Sequence, residues 1–145
     1  MKAEDHYHTG IVVEDVAATL EWLSETAGYR WCEPLTGEHV VELAGGERTV
    51  PYHFVYSLTE PRLEIIAAQP GTLWQPADSG IHHLGYWSSD MDEDIAALGA
   101  AGLPVEAAGR NPDGSLTWAY CRGSAGPRIE LVTRSLEPLL SRLWS

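Results

Sequence analysis

The sequence predicts an α+β fold in which two β-α-β-β-β modules pair into a curved mixed sheet around a cleft. Three observations predict it. The stretch His8-Thr9-Gly10-Ile11-Val12-Val13-Glu14-Asp15-Val16 is echoed by His83-Leu84-Gly85-Tyr86-Trp87-Ser88-Ser89-Asp90-Met91. A second echo follows downstream, where Arg62-Leu63-Glu64-Ile65-Ile66 matches Arg128-Ile129-Glu130-Leu131-Val132. Each half also holds one helical pattern among several strand-like runs. A four-stranded sheet with one helix cannot cover both its faces, so two such units must pair. The concave face left between them is the natural place for a ligand.

The elements follow in order. The run from about His8 to Val13 reads as a strand. Asp15 is a good N-cap for the helix behind it. In that helix Val16, Leu20, Leu23 and Ala27 recur at helical spacing, and Gly28 sits where a C′ glycine belongs. Strand-like runs follow at about Val40 to Leu43, Tyr52 to Ser57 and Arg62 to Ala67, with Gly45-Gly46 as a turn. Residues from about 6 to 69 thus form the first module, and a turn-rich linker spans about 70–80. The second module, about 81–134, repeats the order. A strand runs from about His82 to Trp87, and Asp90 caps a helix bearing Met91, Ile95, Leu98 and Ala101. Gly102 and Pro104 stop that helix. Strands near Val105 to Ala108, Leu116 to Cys121 and Arg128 to Thr133 complete the module, with Asn111-Pro112-Asp113-Gly114 as a turn. The tail, 135–145, carries Leu136, Leu139, Leu140, Leu143 and Trp144. It predicts a short helix that needs a surface to dock on, since so short a helix is not stable alone.

Composition bounds the function. At 145 residues the chain is one domain's worth, and 44% apolar content is ordinary for a globular protein. A formal charge of −12 argues against nucleic acid or an anionic membrane surface as partner. No stretch approaches the roughly 20 apolar residues of a membrane span, and the first residues lack a signal-peptide-like apolar run. Cys32 and Cys121 lie far apart and outside any CxxC pattern, which suits a reduced, cytoplasmic protein with buried thiols. Six Trp residues are many for this length, and Trp often walls ligand cavities.

The chemistry rests on four positions. Glu64 lies in an apolar strand run and by alternation shares a face with Arg62 and Ile66. A carboxylate there is costly unless something positive meets it: Arg62, Arg128, another base or a metal. Taken alone it reads as a salt-bridged or rim-exposed group. Glu130 carries the same penalty in the same local sequence one repeat later, while His8 and His83 open the equivalent strands. The recurrence of all four favours a two-His, two-carboxylate metal site. The separations, 56 residues from His8 to Glu64 and 47 from His83 to Glu130, are too long for a local ligand loop, so only tertiary structure can close it. His82 competes with His83, but the pair alternates faces and His83 matches the frame of His8 through the shared glycine. His6 shares the parity of His8 and is a candidate for supporting the site from behind. His39 and His53 have no repeat partner and read as ordinary, with His53 a candidate for the cavity wall.

These residues resemble the vicinal oxygen chelate superfamily of glyoxalases, bleomycin resistance proteins and dioxygenases. In pattern they are nearest to its glyoxalase I and methylmalonyl-CoA epimerase branch. The resemblance runs from His8 to Val132 and is carried by His8-Thr9-Gly10-Ile11, Gly80-Ile81-His82-His83-Leu84-Gly85 and the two Arg-x-Glu strands. It implies one divalent metal ion held by His8, Glu64, His83 and Glu130. The donor set suits zinc, cobalt, nickel or manganese. It also implies that Glu64 or Glu130 can serve as a catalytic base beside a metal-stabilised enolate. Glu47, in Gly45-Gly46-Glu47-Arg48, resembles in position a non-ligand glutamate of the epimerase branch. Read from the chain alone it is a solvated turn residue, with Glu42 as the fallback. Trp74, Trp87, Trp118 and Tyr120 suggest a roomy aromatic substrate cavity, and nothing in the sequence calls for coenzyme A.

The leading expectation is a metal-dependent isomerase, epimerase or lyase acting on a small oxygenated substrate. A second is a binding protein that sequesters a drug or metabolite. A third is an iron-dependent dioxygenase, against which Glu64 counts, because such sites use a single carboxylate. The apolar tail makes a homodimer the default expectation.

Overall fold

A computed structural model describes residues 1–145. The strands are β1 (His6–Val13), β2 (Leu35–Leu43), β3 (Gly46–Tyr56), β4 (Leu63–Ala67), β5 (His83–Ser88), β6 (Val105–Arg110), β7 (Leu116–Cys121) and β8 (Arg128–Thr133). The helices are α1 (Val16–Ala27), α2 (Met91–Ala100) and α3 (Glu137–Leu143), with short 3-10 turns at Ala3–Asp5 and Arg134–Leu136. The mixed sheet curves until it closes into a barrel in the order β1-β4-β3-β2-β6-β7-β8-β5. β1 pairs with β4 and β5 with β8 in parallel, and every other pairing is antiparallel.

The caps set both helices. The Asp15 side chain accepts from the Ala18 N–H at 3.0 Å, and Asp90 accepts from the Glu93 N–H at 3.0 Å. Gly28 ends α1 with φ +72°, a left-handed conformation that glycine adopts without strain. Val16, Leu20 and Leu23 in α1, and Met91, Ile95 and Leu98 in α2, are half-buried against the outside of the barrel. Ala27 and Ala101 are exposed, since each lies at the end of its helix. No helix is long and apolar enough to cross a membrane.

The two sides of the barrel join at unequal seams. β1 and β5 pair along much of their length, whereas β2 meets β6 only at Glu42↔Ala108 and Leu43↔Ala107. The Arg110 Nε–H donates to Glu42 at 2.6 Å across that short seam. The β2–β3 hairpin is longer than the apolar pattern implies. Its added residues, among them Glu38, Glu47, Arg48 and Thr49, are exposed and polar, so they look like loop in sequence. The core cluster, with Val41, Val50, Ile66 and Ala107, continues into Trp74 and Tyr120. The tail docks on its own barrel. Leu136 and Leu140 reach the cavity described below, and the Arg62 guanidinium lies 4.0 Å over the Trp144 ring. Leu136, Leu140 and Trp144 are thus used within the chain, whereas Leu139 remains exposed.

Candidate metal centre

His8 on β1 and His83 on β5 face each other across the antiparallel seam, where His8 pairs with Gly85 and Gly10 with His83. A Cβ on Gly85 would lie 2.0 Å from the His8 ring, and a Cβ on Gly10 would lie 2.0 Å from the His83 ring. Each glycine thus clears the other half's imidazole, which is the physical reason for His-x-Gly in both repeats. The parallel neighbours complete two rows. Across β3, β4, β1 and β5 run Tyr56, Glu64, Gly10 and His83. Across β7, β8, β5 and β1 run Tyr120, Glu130, Gly85 and His8. The rows are the same four residue types, related by the repeat.

His8, Glu64, His83 and Glu130 are all buried, and one ligand atom from each lies within 4.8 Å of the others. The two Nε2 atoms are 2.9 Å apart. His8 Nε2 stands 3.3 Å from Glu64 and 3.1 Å from Glu130, and His83 Nε2 stands 3.1 and 3.2 Å from the same oxygens. Donors held about 2.0–2.1 Å from one ion stand about 3 Å from their neighbours. The four side chains fit a divalent ion by that measure.

The charge balance points the same way. Neither arginine that the sequence offers as a partner for these carboxylates reaches them. Arg62 donates to the Ser57 carbonyl and to Glu60, and Arg128 donates to Glu106 at 2.6 Å. The ionic partners of Glu64 and Glu130 are the two imidazoles alone. Burial raises the pKa of Glu64 and Glu130, but His8 and His83 outweigh it and hold both below the usual carboxylate range. Burial likewise disfavours charge on His8, yet Glu64 and Glu130 push it up to about 9, and His83 shifts upward for the same reason. Two carboxylates and two imidazoles in so small a volume hold protons where an ion could sit.

His82 does not join the four ligands but is buried next to His83. It precedes β5, so strand alternation does not govern it. Its Nε2–H donates to the Leu73 carbonyl at 2.9 Å, which leaves Nδ1 to accept from His83 Nδ1–H at 3.0 Å. Burial lowers the His82 pKa to about 4 and keeps it neutral for that role. The His83 Nε2 lone pair is then directed at the centre. His8 has no such support, and its buried Nδ1 lacks a partner. His6 does not supply one. A β-bulge between His6 and His8 breaks the parity, so His6 is exposed and packs on Tyr86.

Above the four ligands opens a cavity of about 230 Å³, mainly hydrophobic in its lining, with Glu64 and Glu130 at its floor. Trp74, Trp118 and Tyr120 line it, as the sequence suggests. Trp87 does not. Tyr7, the extra residue of the bulge, stacks on Trp87 at 3.8 Å and lines the cavity in its place. Glu47 is not brought to the site either. It sits exposed near the start of β3, opposite Glu42, because the hairpin extends beyond the expected strands. His53 is half-buried and off the cavity wall, whereas His39 is on it. The sequence reading missed Tyr7, His39, Tyr52, Phe54, Tyr56, Leu136 and Leu140 as lining residues. An available signal was the alternation Tyr52, Phe54, Tyr56, which puts three aromatics on one strand face.

A closed barrel of paired β-α-β-β-β units with this centre defines a class. Residues 7–122 match the Glyoxalase/Bleomycin resistance protein/Dioxygenase superfamily, and the chain belongs to it. No curated protein matches the chain. Among solved structures it is similar to a methylmalonyl-CoA epimerase in complex with methylmalonyl-CoA and NH4+, at 21% identity and TM-score 0.59, covering 89% of this chain and 93% of that one. It is similar to the Streptomyces coelicolor methylmalonyl-CoA epimerase, at 21% identity and TM-score 0.59 over 89% and 96% of the two chains. The epimerase from Mycobacterium tuberculosis aligns at 18% identity and TM-score 0.57, over 94% and 91%. At these identities the likeness establishes the fold.

Proposed function

We propose that the protein is a metal-dependent isomerase, epimerase or lyase acting on a small oxygenated substrate. The observation that carries this reading is a buried pair of carboxylates met by no cation except two imidazoles, at the floor of an apolar cavity. His8 and His83 through Nε2, with Glu64 and Glu130 through one oxygen each, are the ligands in this reading. A divalent ion held there would supply Lewis acidity for negative charge developing on a substrate oxygen.

The chain's own groups account for the rest. Glu64 or Glu130 takes the proton from a carbon next to a carbonyl, and the bonding pair moves onto the carbonyl oxygen. Return of a proton to the opposite face of that carbon completes an epimerisation; with an α-hydroxy carbonyl, its delivery to the former carbonyl carbon, as the neighbouring hydroxyl passes its proton to the enolate oxygen, completes an isomerisation. Burial, with the nearby carboxylates, raises the pKa of Tyr7, Tyr56 and Tyr120 well above its usual value, so each keeps its proton. Tyr7 lines the cavity with its hydroxyl buried and unpartnered, which makes it a donor for a substrate oxygen. The walls exclude water from the carbanion.

All four ligand atoms come from one chain, so the reading needs no second subunit. The test is metal analysis of tag-free protein, followed by solvent deuterium exchange into a panel of α-ketoaldehydes, epimerisable acids and thioesters. About one zinc, cobalt, nickel or manganese per chain, with exchange at carbon, supports it. Iron would move the assignment to a dioxygenase. No bound metal after reconstitution would leave the ligand-binding reading, which the apolar cavity also suits.

A further inference from the structure

The walls of the cavity carry information about its ligand that the floor does not. No Lys or Arg lines it. The chain as a whole has 9 basic against 21 acidic residues, so its field repels polyanions. Tyr52, Phe54, Trp74 and Trp118 supply its aromatic surface. The Trp118 indole folds across Gly109 of the neighbouring strand, where a Cβ would come within 2.3 Å of the ring. Leu136 and Leu140 of the tail add apolar surface. The volume of about 230 Å³ falls below the roughly 300–1,000 Å³ of drug-sized ligand sites. One or two rings fit such a space.

Polar groups interrupt the wall, among them Gln69, Thr117, the Tyr7 hydroxyl and His39. His39 Nε2 is buried and has no hydrogen-bond partner. Its ring lies 5.1 Å from Tyr52, 5.3 Å from Trp74 and 5.7 Å from Trp118, centroid to centroid. A buried ring nitrogen left unpaired costs free energy, so a partner supplied by a ligand would be favoured there.

We infer that the cavity takes an uncharged, planar aromatic substrate of one or two rings. Its oxygen pair faces Glu64 and Glu130, a hydrogen-bonding group on the ring faces His39, and a coenzyme A thioester is excluded. The orientation rests on reading the floor as a metal centre; the preference for a ring does not. His39 is then a specificity-determining residue for this site, separate from the chemistry.

The experiment is calorimetric titration with 2-hydroxyacetophenone, its 4′-hydroxy derivative, hydroxyacetone and acetyl-CoA. Each is titrated into zinc-loaded protein and into the metal-free Glu64→Ala/Glu130→Ala variant. The aromatic ketols should bind at least tenfold tighter than hydroxyacetone in both proteins. The 4′-hydroxyl should add about threefold or more in wild type, and in His39→Phe the ratio of the two aromatic ketols' affinities should fall to about one. Circular dichroism verifies that each variant is folded. Equal binding of hydroxyacetone and the aromatic ketols would overturn the inference, as would acetyl-CoA binding as tightly as they do. A ring preference that persists while zinc changes nothing would uphold the inference and count against the metal reading alone.

Discussion

The two halves of the barrel deliver matching ligands from unequal scaffolds. In the first half the strands that lead to Glu64 form a long hairpin, Leu35–Leu43 with Gly46–Tyr56. In the second half the strands that lead to Glu130 are shorter, Val105–Arg110 with Leu116–Cys121. The long hairpin brings His39, Tyr52 and Phe54 to the cavity wall. The second half instead invests in support of its histidine: His82 braces His83, while His8 Nδ1 has no partner. The two rows Tyr-Glu-Gly-His thus match at the centre, while the periphery differs: the first half adds His39, Tyr52 and Phe54 to a wall that also holds Trp118 of the second, and only the second half braces its histidine. The lesson is that the symmetric part is where chemistry needs convergent geometry, and the asymmetric part is where recognition is free to vary.

Removing the symmetric part should have the largest effect. Glu64→Ala/Glu130→Ala is expected to abolish stoichiometric metal binding, read by metal analysis of purified protein. Each single variant should lose affinity by a similar factor; a tenfold difference between them would break the equivalence of the halves.

The glycine rows come next. Gly10→Ala and Gly85→Ala each place a methyl 2.0 Å from an imidazole and force it to move. Overpacking of this kind costs about 1–3 kcal/mol, measurable by urea denaturation of the metal-free proteins. Gly10→Ala should be the worse of the two, since His83 is tied to His82 and cannot yield, whereas His8 has a free Nδ1. The reverse order would remove the bracing argument.

His82→Phe should weaken metal binding by about 10–100-fold, the range for loss of a group that orients a metal ligand. Its melting curve without metal should move much less. No first-half counterpart exists to give the same phenotype, so the variant tests the asymmetry directly.

The pH dependence is a further measure. In metal-free protein His8, pushed up to about 9, carries its proton at pH 7. An ion must displace that proton, so uptake releases about one proton or more per ion. Because the displaced proton belongs to a group with a raised pKa, affinity falls as pH falls below about 9, by up to about tenfold per unit for each proton released. Calorimetry in buffers of different ionisation enthalpy would measure the release. A pH-independent affinity between pH 6 and 8 would contradict the proton-filled site. The smallest expected effect is that of Glu47→Ala, an exposed position on the hairpin, which should change metal content and ligand binding by less than about twofold.

The amino-acid sequence alone determined the repeat, the order of elements, both helix caps and the parity that aims His8, Glu64, His83 and Glu130 at one face. These are local properties: side-chain alternation and cap chemistry act over a few residues, and a doubled pattern makes them legible twice.

Tertiary structure alone decided the rest. A one-residue bulge sent His6 outward and put Tyr7 where Trp87 was expected, and no sequence period signals such an insertion. His82 turned inward because the Leu73 carbonyl and the His83 ring meet it there, both brought by folding. Arg128 left the carboxylates for Glu106 on β6, a partner that only folding brings near, while Arg62 turned to Glu60, two residues away, and to the Ser57 carbonyl. Closure of the barrel through the short β2–β6 seam and the docking of the tail likewise depend on contacts between residues distant in sequence. Local rules fix which way a side chain points from its own strand, and only the assembled barrel fixes what it meets.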